Sequence, residues 1–128
     1  MCNELSLFRV ACSAVLVLAV AAPTSAATWD GGADPDENWS TGGSGGNWSG
    51  AAAPGASDDV FFTDTDESTE GDVNSIVDAD RTVDSLTFNN SGTGANDFHT
   101  VEIPSGVTLT IDGDDGSGRA LLVGGDSS

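Results

Sequence analysis

Val83-Asp84-Ser85-Leu86-Thr87-Phe88 and Val107-Thr108-Leu109-Thr110-Ile111 decide the fold class. Their apolar residues recur at alternating or near-alternating positions, the spacing of a strand with one face buried. Four further runs share their β-branched and aromatic character: Val60-Phe61-Phe62-Thr63, Val73 to Val77, Phe98 to Ile103 and Ala120 to Val123. With Thr82 to Phe88 and Val107 to Ile111 they make six short strands. Turn residues separate them, at Gly71-Asp72, Asn89 to Gly94, Pro104-Ser105-Gly106 and Asp112 to Gly116. After residue 27 no window of about a dozen residues carries the 3.6-residue period of an amphipathic helix. The chain is expected to be all-β.

Short strands at this spacing suit coils of a β-solenoid or a β-sandwich. Thr, Asn and Asp within the strands and Gly and Asp at the corners favour the solenoid, which is expected over residues 59–128. The sequence stops at Gly124-Gly125-Asp126-Ser127-Ser128 with no capping element. Because a solenoid needs its terminal layers covered and several repeats stacked, that ending points to the opening part of a longer architecture or a truncated reading frame.

Residues 28–58 read differently. They are rich in Gly, Asn, Ser and Asp, have no strand or helix period, and contain Trp29, Trp39 and Trp48. An echo runs through them: Asn38-Trp39-Ser40, then Asn47-Trp48-Ser49-Gly50, with Trp29-Asp30-Gly31-Gly32 as a degenerate third member. Three indoles so close together are unusual for a linker. They are expected to cap the end of the folded unit, with their N–H groups turned to partners.

Residues 1–27 have the layout of a secretory signal peptide. Arg9 precedes the apolar run Val10 to Ala22, Pro23 ends it, and Thr24-Ser25-Ala26-Ala27 offers small side chains for cleavage after Ala26 or Ala27. The run is shorter than the roughly 20 residues that cross a bilayer as a helix. Lipidation at Cys12 does not fit, because the apolar run follows that cysteine instead of preceding it. Cys2 and Cys12 leave with the signal, so neither a disulfide nor thiol chemistry is expected of the exported chain. Its location is expected to be extracellular or at the cell surface.

Without residues 1–27 the chain keeps Arg81 and Arg119 against 20 of its 21 acidic residues, a net charge still near −18. Such a chain cannot neutralise a phosphate backbone, which excludes nucleic acid as a partner. Anionic membrane surfaces repel it as well. Self-repulsion at this density opposes compaction unless salt or divalent cations offset it.

The order of Asn38-Trp39-Ser40, Asn47-Trp48-Ser49-Gly50, Pro54-Gly55, Asp58-Asp59-Val60-Phe61-Phe62 and Asp80-Arg81-Thr82-Val83-Asp84-Ser85-Leu86-Thr87-Phe88-Asn89 behind a signal peptide has a familiar look. It resembles the N-terminal region of bacterial surface proteins with autotransporter-associated β-strand repeats. The resemblance spans roughly residues 28–112. It implies a right-handed β-helix passenger displayed at the cell surface, and it carries no catalytic residues to transfer.

Sites are sparse. The densest acidic run holds Asp64, Asp66, Glu67, Glu70 and Asp72, and a second run holds Asp112, Asp114 and Asp115. Calcium takes six to eight oxygen ligands, so these loops are the candidate calcium sites and calcium the one cofactor the sequence suggests. Neither matches an EF-hand loop: Thr69 stands where glycine is needed, Ser75 at the last ligand position of the first run and Val123 at that of the second. Carboxylate pairs for glycoside hydrolysis cannot be singled out among so many acids. His99, the only imidazole, lacks a nucleophile and an orienting partner in the sequence around it and reads as structural. Thr41 to Gly46 is glycine-rich, yet no lysine follows it as in a phosphate loop.

The expected function is therefore structural or adhesive and non-enzymatic. The alternative is a carbohydrate-binding module in which Trp29, Trp39 and Trp48 stack on sugar rings, with polysaccharide or cell-surface components as partners and calcium assisting. A third reading makes the chain a fragment of a polysaccharide-active enzyme with its catalytic part elsewhere. Exposure of the indoles separates the first two, since a binding platform needs open, roughly coplanar rings.

Overall fold

The computed structural model describes residues 25–91 and 97–125. The apolar leader up to residue 24 lies outside them. No helix forms among the described residues, and eight strands are present: β1 (Ser25–Thr28), β2 (Asp58–Phe62), β3 (Ser75–Ile76), β4 (Arg81–Val83), β5 (Ser85–Asn90), β6 (Val101–Glu102), β7 (Leu109–Ile111) and β8 (Leu121–Gly125). The stretch Thr82 to Phe88, read as one strand, is two. Asp84 bends the chain between them, its N–H donating to Asp58 O (2.9 Å) and its carbonyl accepting from Gly113 N (3.0 Å). The strand read over Val73 to Val77 shortens to β3, and Phe98 to Ile103 shortens to β6 with a lone bridge at Phe98. β1 was not foreseen, and it begins inside the stretch read as leader.

All five strand pairings are parallel. They form one four-stranded sheet in the order β1-β2-β5-β8 and two two-stranded sheets, β3-β6 and β4-β7. From β2 onward each strand pairs with the one three elements later. Asp59 lies opposite Ser85 and Ser75 opposite Val101, the same displacement of 26 positions. Arg81 lies opposite Leu109, a displacement of 28. Among the described residues no sheet closes on itself. Tight turns make the connections possible: at Pro104-Ser105-Gly106, Val107 N donates back to Pro104 O (3.0 Å), and Gly106 takes φ 88°, which a side chain would resist.

Parallel register stacks like positions into columns. Ala27, Val60, Leu86 and Leu121 form one, and the next inward position carries Phe62, Phe88 and Val123. Trp29 continues that second column beyond β1, its backbone N donating to Phe61 O (2.9 Å). Phe62 and Phe88 stack face to face with centroids 4.9 Å apart and 11° between planes. Val77, just after β3, and Val83 on β4 also belong to the buried set.

Residues 28–58 close one end of this stack, and they share its core. Residues 37–39 lie beside β3, with Trp39 N donating to Ile76 O (2.8 Å) and Ile76 N to Glu37 O (2.7 Å). The chain then returns across β1, where Asp30 N donates to Asn47 O (3.0 Å) and Ser49 N to Thr28 O (2.9 Å). Trp29, Trp39 and Trp48 are fully or almost fully buried. Trp48 meets both other indoles edge to face, at 5.1 and 5.2 Å, and each of the three rings lies within 6.4 Å of Phe62. Every indole N–H has an acceptor: Asp66 Oδ2 for Trp29 (2.8 Å), Ser75 Oγ for Trp39 (2.5 Å) and Trp39 O for Trp48 (2.9 Å). Buried Asn47 ties the loop below it, accepting from Ala33 N (3.0 Å) and donating to the carbonyls of Asp36 and Asn38.

The glycine run Thr41 to Gly46 is a packing device. A Cβ on Gly46 would lie 2.7 Å from Thr41 O and from Gly42 C, both backbone atoms that cannot step aside. Gly46→Ala is therefore expected to destabilise the fold by about 1–3 kcal/mol. Trp39→Ala, which empties the centre of the cap, is expected to cost about 3–5 kcal/mol. Gly50→Ala meets open space and should leave the midpoint of denaturant unfolding unchanged.

Candidate functional site

The stack has two unlike ends. At the end opposite the indoles, the inward columns finish on Leu121 and Val123, which are 54% and 75% exposed. Beside them lies an open cleft of about 450 Å³. Phe88 on β5, Val123 on β8 and the half-exposed Phe98 form its apolar walls, and Asn90, Asp97 and His99 supply its polar groups.

The segment bearing Phe98 and His99 is tied to the acidic loop between β2 and β3. Ser68 and Phe98 exchange both backbone hydrogen bonds, at 2.8 and 3.2 Å. His99 Nε2 donates to Thr63 O (2.8 Å), and Nδ1 accepts from Asn74 Nδ2 (3.0 Å). That tautomer is assigned from the network: the Asn74 Oδ1 is taken by Thr100 N (3.0 Å), leaving its amide nitrogen toward the ring. Both ring nitrogens are thus engaged, and the ring packs 5.0 Å from Phe62. In this arrangement His99 ties the segment before β6 to Thr63 after β2 and Asn74 before β3.

The acidic residues singled out as candidate calcium ligands are dispersed among separate partners. Asp64 accepts from Ser91 N and Oγ, which hold its carboxyl below the usual range against a small opposing effect of desolvation. Asp66 accepts the Trp29 indole, and Glu67 accepts from Asn90 Nδ2 (2.8 Å). Glu70 and Asp72 are exposed, the Asp72 carbonyl accepting from Ser68 Oγ. Asp114 accepts from Gly116 N and Gly118 N. Asp115 takes Arg119 Nε (2.8 Å) and the backbone of Ser117 and Arg119, with the ion pair at 2.6 Å; these bonds, the arginine's first, lower its pKa. Asp112 N donates to Val83 O. Among the described residues no group of three or more His, Cys, Asp or Glu is placed to hold a metal ion.

Trp29, Trp39 and Trp48 are brought together, but inside the core. Buried rings packed edge to face leave no open face on which a sugar could stack, because their apolar surface is already spent on one another and on Phe62. In the sequence the apolar cleft residues Phe88, Phe98 and Val123 were visible only as parts of strands, and Asn90 only as part of a turn. The signal that locates them is the column rule: Phe88 and Val123 share a position that Phe62 fills one layer earlier.

Comparison with protein-family models, with curated proteins and with solved structures returned no match.

Glu37 stands apart from the other carboxylates. One of its oxygens, Oε2, is buried without a hydrogen-bond partner. Burial first, and then the charges of Asp66, Asp34 and Asp36, raise its pKa. A carboxyl with a raised folded-state pKa contributes stability below its unfolded pKa and loses it as pH rises through the folded value. Glu37→Gln is therefore expected to raise the thermal midpoint at pH 7 and to leave it unchanged at about pH 3, where both forms are neutral. An equal shift at both pH values would show that packing, not charge, is responsible.

Proposed function

We infer that this chain is an exported β-solenoid segment with a structural or adhesive role and no catalysis of its own. The observation that carries the reading is the repeated parallel register: three successive strands, each stacked on the strand three elements later, on three separate sheets. Sandwich sheets are antiparallel, whereas every strand pairing here is parallel, which favours coils over the sandwich. Parallel strands joined by such connections wind right-handed in nearly all known cases, so a right-handed coil is the expected hand. The resemblance to surface proteins with autotransporter-associated β-strand repeats agrees with that architecture, and the leader reading places it outside the cell.

Several features support a scaffold over an enzyme. His99 engages both ring nitrogens in structural bonds, Glu67 accepts from the cleft residue Asn90, and Asp64 accepts from Ser91. Glycan binding through the three indoles loses its support with their burial. An adhesive role draws instead on the exposed apolar end and the acidic outer surface.

Beads coated with the exported chain are expected to be retained under flow on surfaces bearing polysaccharide or cell-surface material, and to be released when the chain is thermally unfolded. Cleavage of the surface polymer by the chain alone would overturn the non-catalytic reading. Retention that survives unfolding would show that charge, not the folded surface, is responsible.

A further inference from the structure

Resting on the leader reading of residues 1–27, we propose that leader removal and the docking of β1 compete for the same residues. The bond cut is Ala26–Ala27, and once β1 lies on β2 that bond is closed to the processing peptidase.

The small residues offer two bonds for cleavage, after Ala26 and after Ala27, and the fold treats them differently. Ser25 and Ala26 are exposed, whereas Ala27 is 6% exposed and stands in the inward column with Val60 and Leu86. Cutting after Ala27 takes that methyl out of the core. It also sets a new ammonium on Thr28, which lies between β2 and residues 47–49 and whose carbonyl accepts from Ser49 N (2.9 Å). A charge placed there loses part of its hydration.

Cutting after Ala26 keeps the column whole. Trp29 N donates to Phe61 O (2.9 Å), and the alternation of a strand turns the Ala27 nitrogen to the same side, toward β2. The register sets Ser25 opposite Asp58 and Ala26 opposite Asp59, so the ammonium of Ala27 comes to rest next to two acidic residues. Beyond residue 27 the chain's basic side chains are Arg81 and Arg119 alone, and this ammonium adds a third cation.

The competition follows from the same strand. A peptidase takes the residues around its cut in extended form, pairing their backbone with an edge of its own. In the folded chain that backbone is already paired: Ser25, Ala26, Ala27 and Thr28 lie in parallel register with Asp58, Asp59, Val60 and Phe61. Two residues past the cut, Trp29 is bridged to Trp48 and fully buried, its indole N–H held by Asp66 Oδ2. Exposing the bond therefore means lifting β1 off β2 at the border of the aromatic core. Hydrolysis breaks the Ala26 C–Ala27 N bond, and water supplies the oxygen that leaves Ala26 as a carboxylate and the proton that helps make Ala27 an ammonium. The leader leaves an unpaired chain, and β1 docks afterwards.

The test incubates the full chain with a purified signal peptidase in mild detergent. One sample is folded, as checked by its β circular dichroism, and one is held unfolded in urea. An unrelated leader peptide measures the peptidase's activity in each buffer, and the product is identified by mass spectrometry. The expected product starts at Ala27 and forms at least about tenfold faster, relative to the reference peptide, from the unfolded chain, because cleavage of the folded chain samples only the opened fraction of β1. Equal relative rates in the two states overturn the proposal and leave the leader reading standing. A product starting at Thr28, or upstream of Ala27, does the same. A chain left intact in both states, while the reference peptide is cut, removes the leader reading and the proposal with it.

Discussion

Burial of three indoles in one small volume is the constraint on which the rest of the structure depends. Each ring brings an N–H that cannot be left unpaired in an apolar core without a cost of about 1–3 kcal/mol. The fold meets it with one acceptor from the acidic loop, one from β3 and one from the cap itself. Those three bonds draw Asp66, Ser75 and Trp39 to fixed places, and so position the loop before β3, the β3 strand and the returning segment at once. With Phe62 against all three rings, the register of β2 is pinned, since a slip of one residue would turn Phe62 outward. β5 and β8 inherit that register through parallel pairing in the same sheet.

The charge of the chain is accommodated by giving carboxylates work as hydrogen-bond acceptors. Asp78 shows the balance: burial opposes its charge, yet the hydroxyl and backbone N–H of Ser40 outweigh that and lower its pKa. Asp36 gathers Asn38 and Thr41, Asp80 accepts from Thr108 N, and Asp59 accepts from Ser85 Oγ across β2 and β5. Aspartate suits this use because its short side chain reaches nearby backbone N–H groups in turns. Several carboxylates that the sequence offers as cation ligands, Asp64, Asp66, Glu67, Asp114 and Asp115 among them, thus also serve as acceptors in their surroundings. Glu37 is the exception, a carboxyl pressed among like charges with one oxygen unpartnered.

The all-β class and most strands were legible because alternation over Val83 to Phe88 and Val107 to Ile111, and the β-branched and aromatic run Val60 to Thr63, are local signals. The division of Thr82 to Phe88 was not, since only the tertiary hydrogen bonds of Asp84 to Asp58 and Gly113 make it a corner. β1 was hidden for a similar reason: Ser25-Ala26-Ala27-Thr28 has the small residues of a cleavage site, and its strand character comes from lying beside β2. The close packing and paired N–H groups of the indoles were foreshadowed by the Trp echo, because glycine-rich surroundings and repeated indoles imply close packing. The cleft was not legible. Its residues come from β5, β8 and the segment before β6, and their shared exposure follows from the order of stacking, which no single window of sequence contains.

The described residues differ at the two ends of the stack: aromatic packing closes one side, and the uncharged apolar strand β8 lies on the other. Its central claim is the three-element repeat in parallel register. The most direct test is a cysteine pair at Thr82 and Thr110, outward-facing neighbours on β4 and β7. Adjacent strands lie about 4.8 Å apart, within the Cα separation a disulfide spans. The account predicts that Thr82→Cys with Thr110→Cys forms an intramolecular disulfide in the folded chain and raises its thermal midpoint. A folded chain in which this pair stays reduced under oxidising conditions, while Thr82→Cys bridges a cysteine placed elsewhere on β7, would contradict the register and the coil built on it.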